Sequence, residues 1–311
     1  MGERVTLEQG TVTTGSSLQR CPLCAGSDIE VHLEATGGAL AHDALGSSRT
    51  DVGHGKVLRC RGCGFVFSEF RPADEELHTL YREMNPTVYE KEAQGRLKTA
   101  QRHLKMVQRH IVGGRLVDVG CASGSFLKVA AEAGWTVTGV EPSETLANYA
   151  KKLLDGRGDV HCATLQQAKL QPQSFDALTL FDVLEHVTDP LAFLTECASL
   201  LKPGGYLFAN VPDISSLQAR VLGSRWPLLL AEHLNYFDRT TLKRCGDAAG
   251  LRWIAFDRRP ASFTVEYVLY RLSQHGIPGS SLGHRMVQEN SLGSMCIPVY
   301  LGETFAAWVR A

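Results

Sequence analysis

The amino-acid sequence predicts an α/β fold, a doubly wound sheet of seven strands preceded by a small cysteine-rich module. Three observations predict it. Five short apolar runs between residues 116 and 211 are mostly separated by helical stretches of about 10–15 residues. That alternation marks βαβ units and a parallel sheet covered on both faces. A glycine-rich turn directly follows the first run, where an open parallel sheet meets its ligand. Two C-x-x-C pairs precede all of it.

Bulk composition is consistent with this. A chain of 311 residues suffices for one large domain or two ordinary ones. Hydrophobic and charged shares of 44% and 21% are soluble-globular values and exclude a disordered, collagenous or membrane-embedded chain. Lys and Arg number 32 against 33 Asp and Glu, a formal charge of -1. No global basic field draws the chain to nucleic acid or anionic lipid. The opening MGERVTLEQG has no apolar signal core, and no apolar run approaches the roughly 18 residues of a membrane span. The chain reads as cytoplasmic.

The cysteines come first in chain order. Nine is an odd number, and the chain is too long to need disulfide staples. Four form the pairs Cys21-Pro22-Leu23-Cys24 and Cys60-Arg61-Gly62-Cys63, the second followed by Gly64. Each turn points two thiolates at one centre, and together they complete the tetrahedral four-sulfur shell that zinc prefers. Pro22 and Gly64 suit tight knuckle turns. Strands follow each knuckle, at Ile29–Leu33 and Phe65–Phe67, which is a zinc-ribbon pattern over residues 21–68. Free thiols or a redox pair are the alternative, but a thioredoxin-like pair needs a βαβ context. Four protein ligands leave no open position, so the zinc is expected to be structural, one per chain. Cys121 falls in the glycine-rich turn, and Cys162, Cys197, Cys245 and Cys296 read as small buried hydrophobes.

Around that module, residues 1–20 read as a flexible tail and 69–112 as a helical linker or lid. Within the linker a helix is expected over 73–112. Leu97, Ala100, Leu104, Val107 and Ile111 recur at helical spacing, basic residues fill the other faces, and Gly113-Gly114 ends it. The core is placed at 113–311. Its strands are Leu116–Val119, Thr136–Val140, Asp159–Cys162, Phe175–Phe181 and Tyr206–Val211. A late pair, Arg252–Asp257 and Phe305–Arg310, brackets an insertion of about 264–301. Tyr267, Tyr270, Leu272 and Met286 in that insertion suit an acceptor lid or the contact of a homodimer.

The glycine turn carries chemistry. Glycines there let backbone approach a ligand, and Glu141, ending the second strand, is placed to accept both hydroxyl hydrogens of an adenosine ribose. The loop lacks the G-x-G-x-x-G of a dinucleotide site. The ordered motifs VDVGCASGSFL, TGVEPS, SFDALTLFDVLEHVTDP and LLKPGGYLFANVP resemble the class I S-adenosylmethionine-dependent methyltransferases, over roughly 113–260 plus the closing strand. The resemblance implies a Rossmann-like methyltransferase sheet and S-adenosylmethionine as cofactor. It implies a binding set of Asp118, Gly120, Ala122, Gly124, Phe126, Glu141 and Pro142. Thr164 and Leu165 would flank adenine, and Phe181 and Asp182 the sulfonium side. Ala122 stands where that family most often has glycine.

Two clusters offer acceptor chemistry. The amine-methylating N-P-P-Y is missing after the fourth strand, which leaves oxygen, an activated carbon or a sugar amine. Asp182-x-x-Glu185-His186 resembles the E-x-x-E-H metal set of some quinone-pathway and RNA 3′-end O-methyltransferases, with Asp replacing the first Glu. The favoured reading is that Leu184–Val187 opens the helix after strand four, as in metal-free relatives. Glu232-His233 recurs, with a four-cysteine zinc site, in sugar C-methyltransferases. By that resemblance His233 is the base, Glu232 orients it and Tyr89 closes over the site. The whole layout resembles bacterial methyltransferases of natural-product and sugar pathways. The expected activity is O- or C-methylation of a small-molecule acceptor. An RNA-directed methyltransferase and a non-enzymatic binding protein are the alternatives.

Overall fold

The computed structural model describes residues 15–36, 53–73, 92–258, 260–274, 278–288 and 291–311. Five short strands come first: β1 (Gly15–Ser17), β2 (Ile29–Leu33), β3 (Val57–Cys60), β4 (Val66–Ser68) and β5 (Phe70–Pro72). β2, β3 and β4 form an antiparallel meander with one knuckle before it and the other between β3 and β4. β1 pairs antiparallel with β5, so residues 15–17 are strand where a flexible tail is expected, and 70–72 strand where a linker is expected. The two extended flanks of the meander satisfy each other's backbone groups, and Leu18 N–H donating to the Glu69 carbonyl at 3.0 Å continues the ladder.

The helix α1 (Ala93–Val107) buries Ala100, Leu104 and Val107, with Leu97 and Ile111 packed beside them. It ends at Val107, not at the glycines. Met106 and Val107 are already in the core, and the amides of Arg109 and His110 close tight turns onto the Met106 and Val107 carbonyls. Gly113 and Gly114, both at positive φ, serve the turn into the first core strand. The earlier part of the expected helix, 74–91, lies outside the described residues.

The core follows in chain order: β6 (Arg115–Val119), α2 (Ser125–Glu132), β7 (Thr136–Glu141), α3 (Glu144–Leu154), β8 (Gly158–Cys162), α4 (Leu165–Ala168), β9 (Phe175–Phe181), α5 (Pro190–Leu200) and β10 (Leu201–Pro212). Then come α6 (Leu217–Leu222), β11 (Asn235–Tyr236), α7 (Arg239–Ala248), β12 (Leu251–Arg258), β13 (Ala261–Thr264), α8 (Val265–Gln274), α9 (Ser280–Gln288), β14 (Cys296–Val299) and β15 (Glu303–Arg310). Seven strands make one sheet in the order β12-β15-β10-β9-β6-β7-β8. β6 to β10 run parallel to their neighbours, and β15 inserts antiparallel between β10 and β12. The expected doubly wound sheet is therefore present, as a mixed sheet. Strand order reverses between β6 and β9, and a cleft opens at their carboxyl ends, as at other switch points.

Three connections build the walls of that cleft. The β13–β14 hairpin closes the insertion and packs on α1, where Ser262 N–H donates to Thr99 Oγ1 at 2.9 Å and the Thr264 hydroxyl to Glu92 Oε1 at 2.6 Å. α8 leans from the hairpin over the cleft. β11 leaves the core to pair with β4, so the cysteine meander becomes a four-stranded sheet of order β11-β4-β3-β2. Phe65 and Phe67 accordingly belong to the same buried cluster as Leu180, Leu184 and Phe237. Among the described residues no helix is long and apolar enough to cross a membrane.

Candidate functional site

One cleft of about 1090 Å³ runs from the β6–α2 loop to the loops after β9 and β10. Asp118, Gly120, Ala122, Phe126, Glu141 and Pro142 line one end. Thr164 and Leu165, at the start of α4, line the next stretch, and Phe181 and Asp182 lie beyond. Gly124 is not a lining residue. It stands behind the loop at φ 77°, where an added Cβ would meet Ala150 Cβ at 2.8 Å and its Cα at 3.0 Å. Its requirement for glycine comes from the packing of α2 on α3.

Glu141 organises the loop. Its Oε2 accepts from Ala122 N–H at 2.9 Å and its Oε1 from Ser143 N–H at 2.8 Å, so both oxygens are aimed while keeping lone pairs for hydroxyl donors. Burial pushes its carboxyl up to about 7, against those two stabilising amides. Asp118 accepts the Thr179 hydroxyl at 2.6 Å and is likewise pushed up to about 7 by burial, with Glu141 adding repulsion. Phe126 meets Phe181 edge-on at 4.8 Å, and His103 of α1 lies tilted on Phe181 at 4.3 Å. A glycine cradle, an aimed carboxylate and this aromatic wall fit an adenosine cofactor bearing a charged sulfur.

The far end holds Glu185, His186 and His233, whose ligand-capable atoms lie within 4.8 Å of one another. The two imidazoles meet at 4.7 Å and 77°. His186 Nδ1 bonds the Glu232 carbonyl at 3.1 Å and His233 Nδ1 the Leu228 carbonyl at 2.9 Å. A carbonyl only accepts, so each neutral ring carries its proton on Nδ1 and its lone pair on Nε2. Burial drives His186 down to about 4. Burial, with the His186 charge, puts His233 well below the ordinary value. Glu185 is buried with Oε2 unpartnered, and burial, with Asp182 nearby, raises it well above the carboxylate range.

Two expectations for this end need correction, and the less favoured reading of a metal set at Asp182, Glu185 and His186 changes in its first member. Asp182 is not part of the cluster: at φ 58° it turns to accept Asn210 Nδ2–H at 2.7 Å, and His233 takes the third place. Leu184–His186 do not open a helix. They form a turn, because Pro190 fixes the first residue of α5 and Asp189 caps it, accepting Ala192 N–H at 2.9 Å. Glu232 does not orient His233, since the Leu228 carbonyl holds that ring and the Glu232 carbonyl holds His186. Glu232 lines the cleft, and burial pushes its carboxyl up to about 7. Tyr89 lies outside the described residues. Sequence reasoning missed Glu303, which lines the cleft and is raised to about 8 by burial and by Asp182. Its only signal is an acid opening a strand whose middle, Phe305–Val309, is apolar.

The four cysteines do come together. Sγ atoms are 3.5 Å apart for Cys21 and Cys63 and 3.6 Å for Cys24 and Cys60. Zinc–sulfur bonds of about 2.3 Å in a tetrahedron require sulfur separations of roughly 3.8 Å. Knuckle bonds hold each turn: Ala25 N–H to the Cys21 carbonyl and Gly64 N–H to the Cys60 carbonyl, both 2.8 Å. Burial, with mutual repulsion, pushes the Cys21 thiol up, and a bound cation relieves that repulsion. The donor set and spacing fit a structural zinc.

Comparison with known proteins adds an independent line. Residues 89–255 match a family model described as a methyltransferase domain. A ubiquinone biosynthesis O-methyltransferase of Idiomarina loihiensis is 34% identical over 163 residues, covering 47% of this chain and 65% of that one. A protein of the same name from Xanthomonas campestris pv. campestris is 42% identical over 102 residues, covering 32% and 43%. The chain thus spans less than two thirds of the length of these two relatives. A structure of a complex between the Haloferax volcanii Trm112 methyltransferase activator and a methyltransferase superposes with TM-score 0.50 at 16% identity. It covers 68% of this chain and 90% of that one, a likeness of fold alone. With a match over more than half its length, and the motif-bearing loops placed along one cleft, this chain belongs to the methyltransferase-domain family.

Proposed function

We propose that this protein transfers a methyl group from S-adenosylmethionine to a hydroxyl of a small-molecule acceptor. The observation that carries the reading is the single cleft that joins the Glu141 loop at one end to the His186–His233 pair at the other. The cofactor supplies an electrophilic methyl group on a sulfonium. The chain's task is to hold the acceptor oxygen in line with it and to take the hydroxyl proton. Glu141 would hold the ribose, and the Gly120–Ala122 backbone the amino-acid end. Phe181 and Asp182 would flank the reacting methyl. The name of the curated relatives supports oxygen over carbon or nitrogen. The four-cysteine module beside the core supports an acceptor from natural-product or sugar pathways, with Cys21, Cys24, Cys60 and Cys63 holding a structural zinc.

At the acceptor end His233 is the proposed base, with burial keeping the resting ring neutral and its lone pair on Nε2 ready to accept the hydroxyl proton. The proximity of Glu185 and His186 favours a second reading, in which the three residues hold a divalent cation. A cation bound there would lower the pKa of an acceptor hydroxyl by direct contact.

Calorimetry with S-adenosylhomocysteine, followed by turnover on a panel of phenols, catechols and nucleotide-linked sugars, tests the activity. Neither binding nor product would overturn it. His233→Ala should lower turnover by about 100-fold, in the range of general-base removal, with S-adenosylhomocysteine affinity nearly intact. Dialysis against a chelator separates the two readings. Activity restored by an added divalent ion selects the cation, and activity unmoved while the four-cysteine zinc stays bound selects the base.

A further inference from the structure

Arg71 is a buried cation, only 5% exposed, whose two terminal guanidinium nitrogens meet carbonyl and amide oxygens. It extends from β5 between two loops of the core. One guanidinium nitrogen, Nη1, donates to the Val187 carbonyl at 3.2 Å and the Thr188 carbonyl at 2.6 Å. The other, Nη2, donates to the Leu234 carbonyl at 3.2 Å and to Asn235 Oδ1 at 2.7 Å. The first loop carries Glu185 and His186, and the second carries His233. Only a planar fork of fixed angle can span both, which a lysine ammonium cannot do.

The same two loops are tied to each other and to the module. Asn235 Nδ2 donates to the Leu184 carbonyl at 3.1 Å and the Val187 carbonyl at 2.7 Å. The Leu234 and Asn235 amides both donate to the Glu185 carbonyl, at 2.8 and 3.0 Å. From the module side, Ser68 N–H donates to the Leu234 carbonyl at 2.9 Å, and Asn235 and Tyr236 pair with Phe67 and Val66. Burial pulls the Arg71 guanidinium down to about 10, and Asp189, the cap of α5, and Cys21 of the cysteine cluster oppose that shift. None of these bonds reaches the Gly120–Gly124 loop or Glu141.

We infer that Arg71 is a positioning residue for methyl transfer: it locks the loops bearing His186 and His233 to the cysteine module, so that the module sets acceptor-side geometry and leaves cofactor binding alone. The inference rests on the functional reading above. Loosening by about 1 Å at a reacting group is enough for roughly 100-fold in rate.

Arg71→Lys in the full chain tests it, since charge and most of the volume stay. The expected result is a kcat lowered 10- to 100-fold, with S-adenosylhomocysteine affinity within twofold of the parent and the zinc content unchanged. The imidazole nitrogen resonances of His186 and His233 should move as well. Asn235→Ala, which removes one acceptor of the fork, should show the same split at smaller size. Unchanged kcat and unmoved resonances in a folded variant would overturn the inference. So would a parallel fall in S-adenosylhomocysteine affinity, which would make Arg71 a general stabiliser. The resonances are read without turnover, so a parent protein with no methyl transfer sinks the functional reading while leaving the positioning test intact.

Discussion

Glu141 shows how much one side chain decides. Its two oxygens are fixed by the amides of Ala122 and Ser143, so the loop and the proposed ribose contact share one carboxylate. Glu141→Gln leaves a single accepting oxygen and deprives one of those amides of its partner. Hydrogen bonds to a charged group are worth about 1.5–3 kcal/mol, so S-adenosylhomocysteine binding should weaken roughly 10- to 100-fold by calorimetry. The same group sets a pH dependence. Asp118, Glu141 and Glu232 are pushed up to about 7 and Glu303 to about 8, each chiefly by burial. In the unfolded chain they ionise near pH 4, so across the interval the native state holds more protons, and stability falls as pH rises. The buried histidines act oppositely. His103 and His186 are held at about 4, so their contribution is complete above about pH 6.5 and is lost as pH falls below it. The four acids outnumber the two histidines, so the cofactor-free protein should lose melting temperature as pH rises from about 5, more steeply above about 6.5, toward about pH 8. A curve rising to pH 8 would contradict the burial of these acids. Glu141→Gln should flatten the alkaline limb.

At the scale of single elements, the β6–α2 loop tests backbone geometry directly. Ala122 holds φ 47°, a left-handed conformation that costs an alanine about 1–2 kcal/mol relative to its ordinary wells. Ala122→Gly relieves that strain but adds freedom to the unfolded chain, so the net expected gain is about 0.5–1 kcal/mol in a urea titration, without loss of cofactor binding. A destabilised variant would mean that the Ala122 methyl packs against something worth more than the strain. This loop was legible from sequence because its chemistry is local: glycines, a strand before, a helix after and an acid at the next strand's end. The acceptor end was legible only in parts. His233 and Glu185-His186 each stood out, but their meeting depends on β11 leaving the core to pair with β4, and a two-residue strand leaves no periodic trace. The separation of Asp182 from Glu185 and His186 was illegible for a related reason. Its side chain follows Asn210 on the neighbouring strand, a contact that only sheet register supplies.

Over the whole molecule, the cysteine module and the sheet share one core. Cys60 is fully buried, and the cluster containing it continues through Phe65, Phe67 and Phe237 to Leu184 and Trp308. Phe65 meets Phe237 at 5.1 Å, which places an aromatic contact across the boundary that composition suggests near residue 68. Two-domain organisation was the natural reading of the sequence, because two C-x-x-C pairs mark a self-contained module in linear order. Pairing of β11 with β4 and the Arg71 fork cross that division. Independent units would melt separately, whereas a shared core makes one cooperative transition. Cys60→Ser removes one of the four proposed metal ligands, and binding free energy at such a site is folding free energy. A loss of several kcal/mol in a chain this long lowers the melting temperature by on the order of 10 °C. The expected calorimetric trace is one peak for the parent, displaced as a whole in Cys60→Ser and after metal removal. A small early peak for the module, with the main transition unmoved, would show that the aromatic and Arg71 contacts do not couple the two parts. In that case β11 would pair with β4 without transmitting the module's stability to the cleft.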